Sequence, residues 1–512
     1  MTVSVRRRFA FTVGANLLRS GLSFVTGMLL ARSLGPVSFG TMAFLLGTFL
    51  AIRQLLDMGS STAFYTFMSQ RPQSRRFVNA FFAWLGLQFL IPLCVVGLIF
   101  PAHWIAGVWH GEPRGLVVLA FIAAFMQNSV WPAVQQAGES QRRTLWVQGA
   151  GVIIVGLHLA AIIVLWNLGK LGLYAVFIAI AAEYLLAAIA AHIWLPLGTP
   201  DVSESTETTS VPVMRQYVRY CLPLIPYSWC GFAYEFADRW LLQSYGGSVQ
   251  QAFYAVGAQL SAIALIATSS ILNIFWKEIA EAHYRGDNAR TGMLYRRISR
   301  VLFLVGASIA GFLCPWSNDL LRLILGAAYT GGALTLSIMF LYPIHQSLNQ
   351  IGVTMLYATE RVAVQVLVGI VFMVLSVGVT YLVLAPPQAP IPGLGLASVG
   401  LALKMVVLQL IQANVVAYII ARLWKWPFDW AYQPVGLLGC LALGWSARGA
   451  VLGIGGGSWP FPLVMALDAV LYGLLLAVFV YALPWLTGST RAELVLDAGT
   501  LLRRTMARMR PA

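Results

Sequence analysis

Apolar runs long enough to cross a bilayer follow one another along nearly the whole chain, and that repetition limits the fold more than any other feature. A helix needs about 20 apolar residues to span the hydrocarbon core. Fourteen such runs can be placed, at 9–31, 39–68, 77–100, 115–135, 144–167, 171–197, 215–244, 250–280, 292–316, 332–357, 362–385, 393–421, 431–453 and 460–486. They are continuous rather than alternating, which excludes a transmembrane β-barrel. Only 10% of the residues are charged, against about 25% in soluble domains, and mean hydropathy is +0.77. The chain reads as an all-α polytopic membrane protein.

Charge sets the orientation. The net charge of +15 would suggest a nucleic-acid partner in a soluble protein. Here the cations collect on alternate loops: Arg6–Arg8, Arg71, Arg75 and Arg76, Arg142 and Arg143, Arg285 and Arg290, Arg361, Arg422 and Lys425, and finally Arg503, Arg504, Arg508 and Arg510. The other loops hold only Arg114, Lys170, Arg322 and Arg448, with Arg32 at a helix edge. Excess Lys and Arg mark cytoplasmic loops, so both termini are expected inside and no nucleic acid is implied. The first run is long and has no evident cleavage site, so it reads as a transmembrane helix, not a removed signal.

One inner loop departs from the pattern. Gly198–Pro212, GTPDVSESTETTSVP, is polar, acidic and Pro-flanked, and reads as a flexible linker after six spans. The expected organisation is an N-lobe over 1–197 (spans 1–6), a cytoplasmic linker over 198–214 and a C-lobe over 215–424 (spans 7–12). Two further spans over 425–486 and a basic cytoplasmic tail over 487–512 complete it. The lobes match weakly but in order. SLGPVSFGTMAF (33–44) has its counterpart in SYGGSVQQAFYAV (244–256), and QNSVWPAVQQAGESQ (127–141) in LNQIGVTMLYATERV (348–362). In the second pair Asn128 and Asn349 each precede an Ala-x-Glu tripeptide by nine residues. Six spans per lobe keep both lobes in one orientation, which predicts parallel repeats about an axis along the membrane normal.

Charges deep in the spans carry the functional signal, because each costs at least about 2.5–3.5 kcal/mol to insert. Arg19 lies about 16 Å along the first span at 1.5 Å per residue. Arg53 and Lys404 are similarly central, and Arg239 lies nearer the outer end of the seventh span. Intramembrane cations face a bundle interior or a wet cavity, and a cavity lined by these four would hold an anionic group. A purely structural role competes with that reading. Arg53 and Asp57 are spaced i,i+4 on one face and Asp238 adjoins Arg239, whereas Arg19 and Lys404 have no acid within one turn. The carboxylates Asp57, Glu183, Glu235, Asp238 and Asp468 are either counter-ions or sites for a coupled proton or sodium ion. Glu235, one turn from Asp238, is singled out for coupling.

The remaining candidates read as structural. Cys94, Cys221, Cys230, Cys314 and Cys440 lie in or beside apolar runs without metal-ligand spacing, as packing residues do. His158, His192 and His345 are too scattered to hold a metal. Trp104, Trp109, Trp316, Trp424 and Trp426 fall at span ends, where an interfacial belt is expected. Tyr220, Tyr227, Trp229 and Tyr234 read mainly as core, and Pro223 and Pro226 should loosen the seventh span. There is no P-loop or catalytic constellation, so neither an enzyme nor a cofactor is expected.

Four stretches carry a resemblance: LARSLGPVSFG (30–40), ADRWLLQSYGGSVQQAFYAVGAQL (237–260), FWKEIAEAHYRGD (275–287) and LLRLILGAAYTGGA (320–333). With the span count, they make the chain resemble the polysaccharide-transporter branch of the multidrug/oligosaccharidyl-lipid/polysaccharide (MOP) flippase superfamily. The motifs are loose and glycine-anchored, so their order matters more than any one. The resemblance implies two six-helix lobes plus two C-terminal helices, in the cytoplasmic membrane of a bacterium. It implies a monomer that moves undecaprenyl-pyrophosphate-linked oligosaccharide from the inner to the outer leaflet, beside polysaccharide polymerase and export machinery. Arg19, Arg53, Arg239 and Lys404 would then meet the diphosphate, while Gly35, Pro36 and Gly40 form the outer turn between spans 1 and 2.

Three rivals remain open. The lipid II flippase branch shares the architecture and also has cations in its first two helices. Drug/cation antiporters usually have twelve spans and fewer central cations. A polysaccharide polymerase or ligase would handle the same carrier, but usually has a large outer loop, and the longest outer loops here are about fifteen residues.

Overall fold

The computed structural model describes residues 5–70, 73–194, 210–265, 281–455 and 459–493, with residues 275, 278, 279 and 496. Among them the regular structure is helical. In chain order the helices are α1 (Val5–Asp57), α2 (Ser60–Gln70), α3 (Arg75–Cys94), α4 (Ala102–Val108), α5 (Arg114–Phe125), α6 (Trp131–Ser140), α7 (Thr144–Asn167), α8 (Leu173–Trp194), α9 (Ser210–Cys221) and α10 (Ile225–Ser261). They continue as α11 (Asn288–Leu313), α12 (Ser317–Ile324), α13 (Ala333–Met339), α14 (Tyr342–Ala358), α15 (Val362–Leu384), α16 (Ala397–Trp424), α17 (Tyr432–Gly455) and α18 (Phe461–Ala482).

Eleven helical segments among the described residues are long and apolar enough to cross a membrane. One of them bends at Gly35 and so makes two crossings. α10, which bends in the same way at Gly247, stands where the sequence places the seventh span and the start of the eighth. The chain is a multi-pass membrane protein. The linker read at 198–214 lies outside the described residues as far as 209; from Ser210 the chain is helical. The basic tail beyond Leu496 also lies outside them.

Two bends expose the duplication. Gly35 has φ 72° and ψ 170°, and Gly247 has φ 75° and ψ −179°. Only glycine enters that region readily, so each repeat turns on one glycine in the same conformation. The match runs Gly35 to Gly247, not to the neighbouring Gly246. The turn is also smaller than expected: Pro36 opens the next helical limb, where its fixed φ is favourable, and Gly40 lies inside that limb.

The described chain forms two compact units. The first comprises Met1–Ala255, Ile324–Ala328 and Met373–Ser398, and the second Val256–Leu323, Tyr329–Phe372 and Val399–Ala512. In the first unit the early limb of α1 packs on α7, and α5 packs on α8. The later limb of α1 runs antiparallel to the first limb of α10. Gly40 faces the Ser248 carbonyl, Gly47 faces Arg239, and Gln54 fills the space left by Gly231. Positions 40, 47 and 54 are spaced by two helical turns, so one stripe of α1 makes all three contacts.

Breaks interrupt several spans that the hydropathy drew as continuous, among them 332–357, which is split at Phe340 and Leu341. Met58 (φ 48°) and Gly59 (φ 80°) separate α1 from α2. A 3-10 turn at Leu222–Leu224, bearing Pro223, separates α9 from α10 as the prolines led one to expect.

In the second unit α11 packs on α14 and α17, and α17 on α18. Gly311 and Gly444 let α11 and α17 touch backbone to backbone, and Gly311 also faces Cys440 O and Tyr472 Oη. Trp316 is 2% exposed and donates to Asp468 at 2.6 Å, with Arg448 over its ring at 4.5 Å. Trp109, in the first unit, is also 2% exposed and stacks on Phe49. These two tryptophans therefore belong to the core and not to an interfacial belt; Trp104 is exposed as a belt requires. Tyr220, Tyr227 and Trp229 are exposed rather than core.

Candidate functional site

The later limb of α1 brings Arg53, Gln54 and Asp57 alongside Glu235, Asp238 and Arg239 of α10. All six lie in the first unit. The charges acting on Arg53 are those of Asp57 and, more weakly, Glu235. Gln54 hydrogen-bonds Glu235, and the charges acting on that carboxylate are those of Arg239, Asp238 and Arg53. Gln54 reaches it because Gly231 has no side chain: a Cβ there would overlap the Gln54 amide oxygen.

Each carboxylate has a distinct occupation. Asp57 accepts from Ser60 Oγ at 3.0 Å, Ser61 N at 3.1 Å and Ser61 Oγ at 2.5 Å. It therefore caps α2, placing negative charge at a helix N-terminus. Asp238 is 6% exposed and accepts from Thr380 Oγ1 at 2.6 Å. Glu183 pairs with His158 Nδ1 at 2.8 Å, and its second oxygen is buried without a hydrogen-bond partner.

The cations differ as much. Arg239 lies along the face of Gly47, where a Cβ would be 2.9 Å from its Nε, and its guanidinium sits 5.3 Å from the Tyr254 ring centre. Its Nη1 is buried and has no hydrogen-bond partner. Arg19 donates to Asn16 Oδ1 at 2.9 Å, three residues before it. With the Gln135 amide oriented to satisfy its neighbours, that oxygen accepts from Arg19 Nη1 at 3.2 Å and from Trp131 Nε1 at 3.0 Å. Lys404 belongs to the second unit, where it is 2% exposed, with Nζ 4.0 Å from Met405 Sδ.

The sequence-named residues thus separate, Asp468 standing apart with Trp316. Arg53, Asp57, Glu235, Asp238 and Arg239 come together; Arg19 lies with Gln135 and Trp131, and Glu183 with His158; Lys404 stands in the other unit. Sequence reasoning missed Gln54, Gln135 and Thr380, and weighed His158 only as a metal ligand, although these are the polar groups that hold the charges. The glycines opposite two of them, Gly231 facing Gln54 and Gly151 facing Gln135, offered a trace. No group of three or more metal-ligating side chains occurs among the described residues.

Residues 5–275 match the family model described as polysaccharide biosynthesis protein. No curated protein matches the sequence. Among solved structures, the lipid II flippase MurJ in an inward closed conformation is similar with TM-score 0.68 and 10% identity, covering 93% of this chain and 99% of that one. An inward-facing multidrug resistance MATE family transporter of the MOP superfamily is similar with TM-score 0.60 and 14% identity, covering 80% and 96%. A MOP superfamily transporter from Pyrococcus furiosus gives TM-score 0.54 and 13% identity, covering 82% and 94%. At such identities these likenesses establish the fold, which is that of MOP superfamily transporters.

Proposed function

The chain belongs to the polysaccharide biosynthesis protein family, and on that premise we propose that it is a flippase for a lipid-linked oligosaccharide. The cargo is undecaprenyl-pyrophosphate-linked glycan, carried without covalent change from the inner to the outer leaflet of a bacterial cytoplasmic membrane. Both termini are cytoplasmic, and access alternates between the two sides.

The diphosphate is what hydrocarbon rejects, and guanidinium groups are the donors best suited to replace its water. One observation carries the reading: Arg239 keeps Nη1 buried without a partner, as a site awaiting an anion would. Glu235 stands between Arg239 and Arg53 in charge. Ionised, it competes with the diphosphate for both arginines; protonated, it releases them to the cargo. A proton gradient would then drive the exchange, and a sodium ion at the same carboxylate would act similarly. Asp57 and Asp238 have structural partners, so they support the site without carrying the ion. Glu183, paired with His158, is the second candidate for coupling. Arg19 and Lys404 are further contacts for the anion as access alternates.

The test is transport of lipid-linked glycan in vesicles and in cells. Removing one charge-assisted contact in Arg239→Ala costs about 1.5–3 kcal/mol, roughly ten- to hundredfold in cargo affinity. Cargo should then collect on the inner leaflet at normal protein abundance. Glu235→Gln should bind cargo at least as well but lose its dependence on the ion gradient. Normal export by Arg239→Ala, Arg53→Ala and Arg19→Ala would reject the cationic route. Transport of lipid II in place of an oligosaccharide cargo would assign the chain to that rival.

A further inference from the structure

In the second unit, at the end that the charge pattern places in the cytoplasm, α11, α16 and the loop after α16 enclose a cavity of about 390 Å³. Arg296 and Arg297 form one wall and Trp426 and Phe428 another. Phe428 and Gln433 also line a second, almost wholly apolar groove of about 690 Å³, which continues along α16 and α17 past Ile411, Leu437 and Leu438. The two spaces adjoin at Phe428 and Gln433, which line both, so a cationic pocket lies beside a greasy groove. Neither is used by the translocation route proposed above, and the inference does not rest on it.

The walls are built, not incidental. Gly292 leaves room for the Trp426 indole, since a Cβ there would lie 2.9 Å from Cε2. Trp426 in turn stacks with Tyr295 and Trp424. Asp429 lines the cavity too and would repel an anion, but both its oxygens are taken by Arg300, at 2.8 and 2.9 Å. Asn414 and Gln433 exchange two amide hydrogen bonds, at 3.0 and 2.9 Å. That pairing satisfies the polar groups at the junction and leaves the groove beyond it apolar.

A molecule that matches both parts has a phosphate-bearing head and an alkyl tail. Basic residues and tryptophans at the end of membrane-spanning helices lie at headgroup depth. We propose that this site holds an anionic phospholipid, with its phosphate at Arg296 and Arg297 and one acyl chain along Ile411, Leu437 and Leu438.

The experiment measures lipid binding to the purified full-length protein by native mass spectrometry and thermal shift. Phosphatidylglycerol should bind and stabilise it, and phosphatidylcholine should do so at least tenfold more weakly. Replacing both arginines, Arg296→Ala with Arg297→Ala, should weaken phosphatidylglycerol roughly tenfold or more, while replacing both by lysine should largely preserve it. Ile411→Trp leaves the charges alone and fills the groove, so it should weaken phosphatidylglycerol as well. Equal binding of the two lipids, or unchanged binding in either the double alanine variant or Ile411→Trp, overturns the proposal. Stabilisation by inorganic phosphate at the concentrations that suffice for the lipid would also overturn it, by showing that no tail is required.

Discussion

Gly40 lies against the carbonyl of Ser248 so closely that a side chain on it would overlap that oxygen. Next to it Thr41 Oγ1 is 3.1 Å from Ser248 Oγ. Contact this close forms only if both helices keep their small residues in register, so the seam can be locked or wedged with single changes. In a Cys-free background, Thr41→Cys with Ser248→Cys should form a disulfide on oxidation, stop export and release it on reduction. Adding Gly40→Val should overpack the seam by about 1–3 kcal/mol and lower the disulfide yield. Failure of the parent pair to cross-link would contradict the packing.

Asp57 offers a sharper choice between two roles. As the cap of α2 it needs only an acceptor oxygen, so Asp57→Asn should stay close to the parent in stability. Asp57→Ala should lose about 0.5–2 kcal/mol. If its main role were pairing with Arg53, loss of charge would be decisive and the two variants would fall together. Thermal unfolding in detergent separates these outcomes.

Arg300 ties three elements of the second unit. It makes a two-pronged pair with Asp429, donates to the Trp485 carbonyl and lies over the Tyr432 and Trp485 rings. Arg300→Lys keeps the charge but loses the planar fork. A loss of about 1.5–3 kcal/mol in stability is expected, read by thermal unfolding; an unchanged midpoint would mean that the pair is dispensable.

The loop before α5 should respond to pH with opposite signs at two residues. Ser244 Oγ donates to the Trp240 carbonyl at 2.7 Å, so at 3.1 Å His110 Nε2 is the donor to Ser244. Burial holds His110 below its ordinary 6.5, so the packed form is neutral. Its contribution is complete above about 6.5 and is lost as pH falls through the lowered value. Burial holds Glu112 above its ordinary 4.5, against a hydrogen bond from Thr41. Its contribution is present below about 4.5 and is lost as pH rises through the raised value. Amide protection over 101–113, corrected for intrinsic exchange, should therefore fall on acidification in Glu112→Gln and rise in His110→Gln. The same slope in both variants would exclude this assignment.

Topology follows from the loop charges. Tyr284 is 92% exposed and Ile391 is 66% exposed. A single cysteine at 284 should label only from the cytoplasm and one at 391 only from outside. The reverse result would invert the chain.

Span number, the bend at each repeat and the family were legible in the sequence because they depend on local quantities. A run of about 20 apolar residues commits to a helix across the bilayer whatever its neighbours do. A glycine at a turn advertises its own backbone freedom. What the deep charges touch was not legible, since a helix in lipid shows no polar face to mark its partners. Asp57 read as the partner of Arg53 at i,i+4, and its charge does act on Arg53, but the chain breaks at Met58 and Gly59 and the carboxylate also caps the next helix. Trp316 looked interfacial until Asp468, 152 residues on, met its indole N–H. Gly40 looked like part of a turn, and it is instead the place where α1 admits the backbone of α10. These are long-range contacts, and only packing determines which distant group fills the space that a missing side chain leaves.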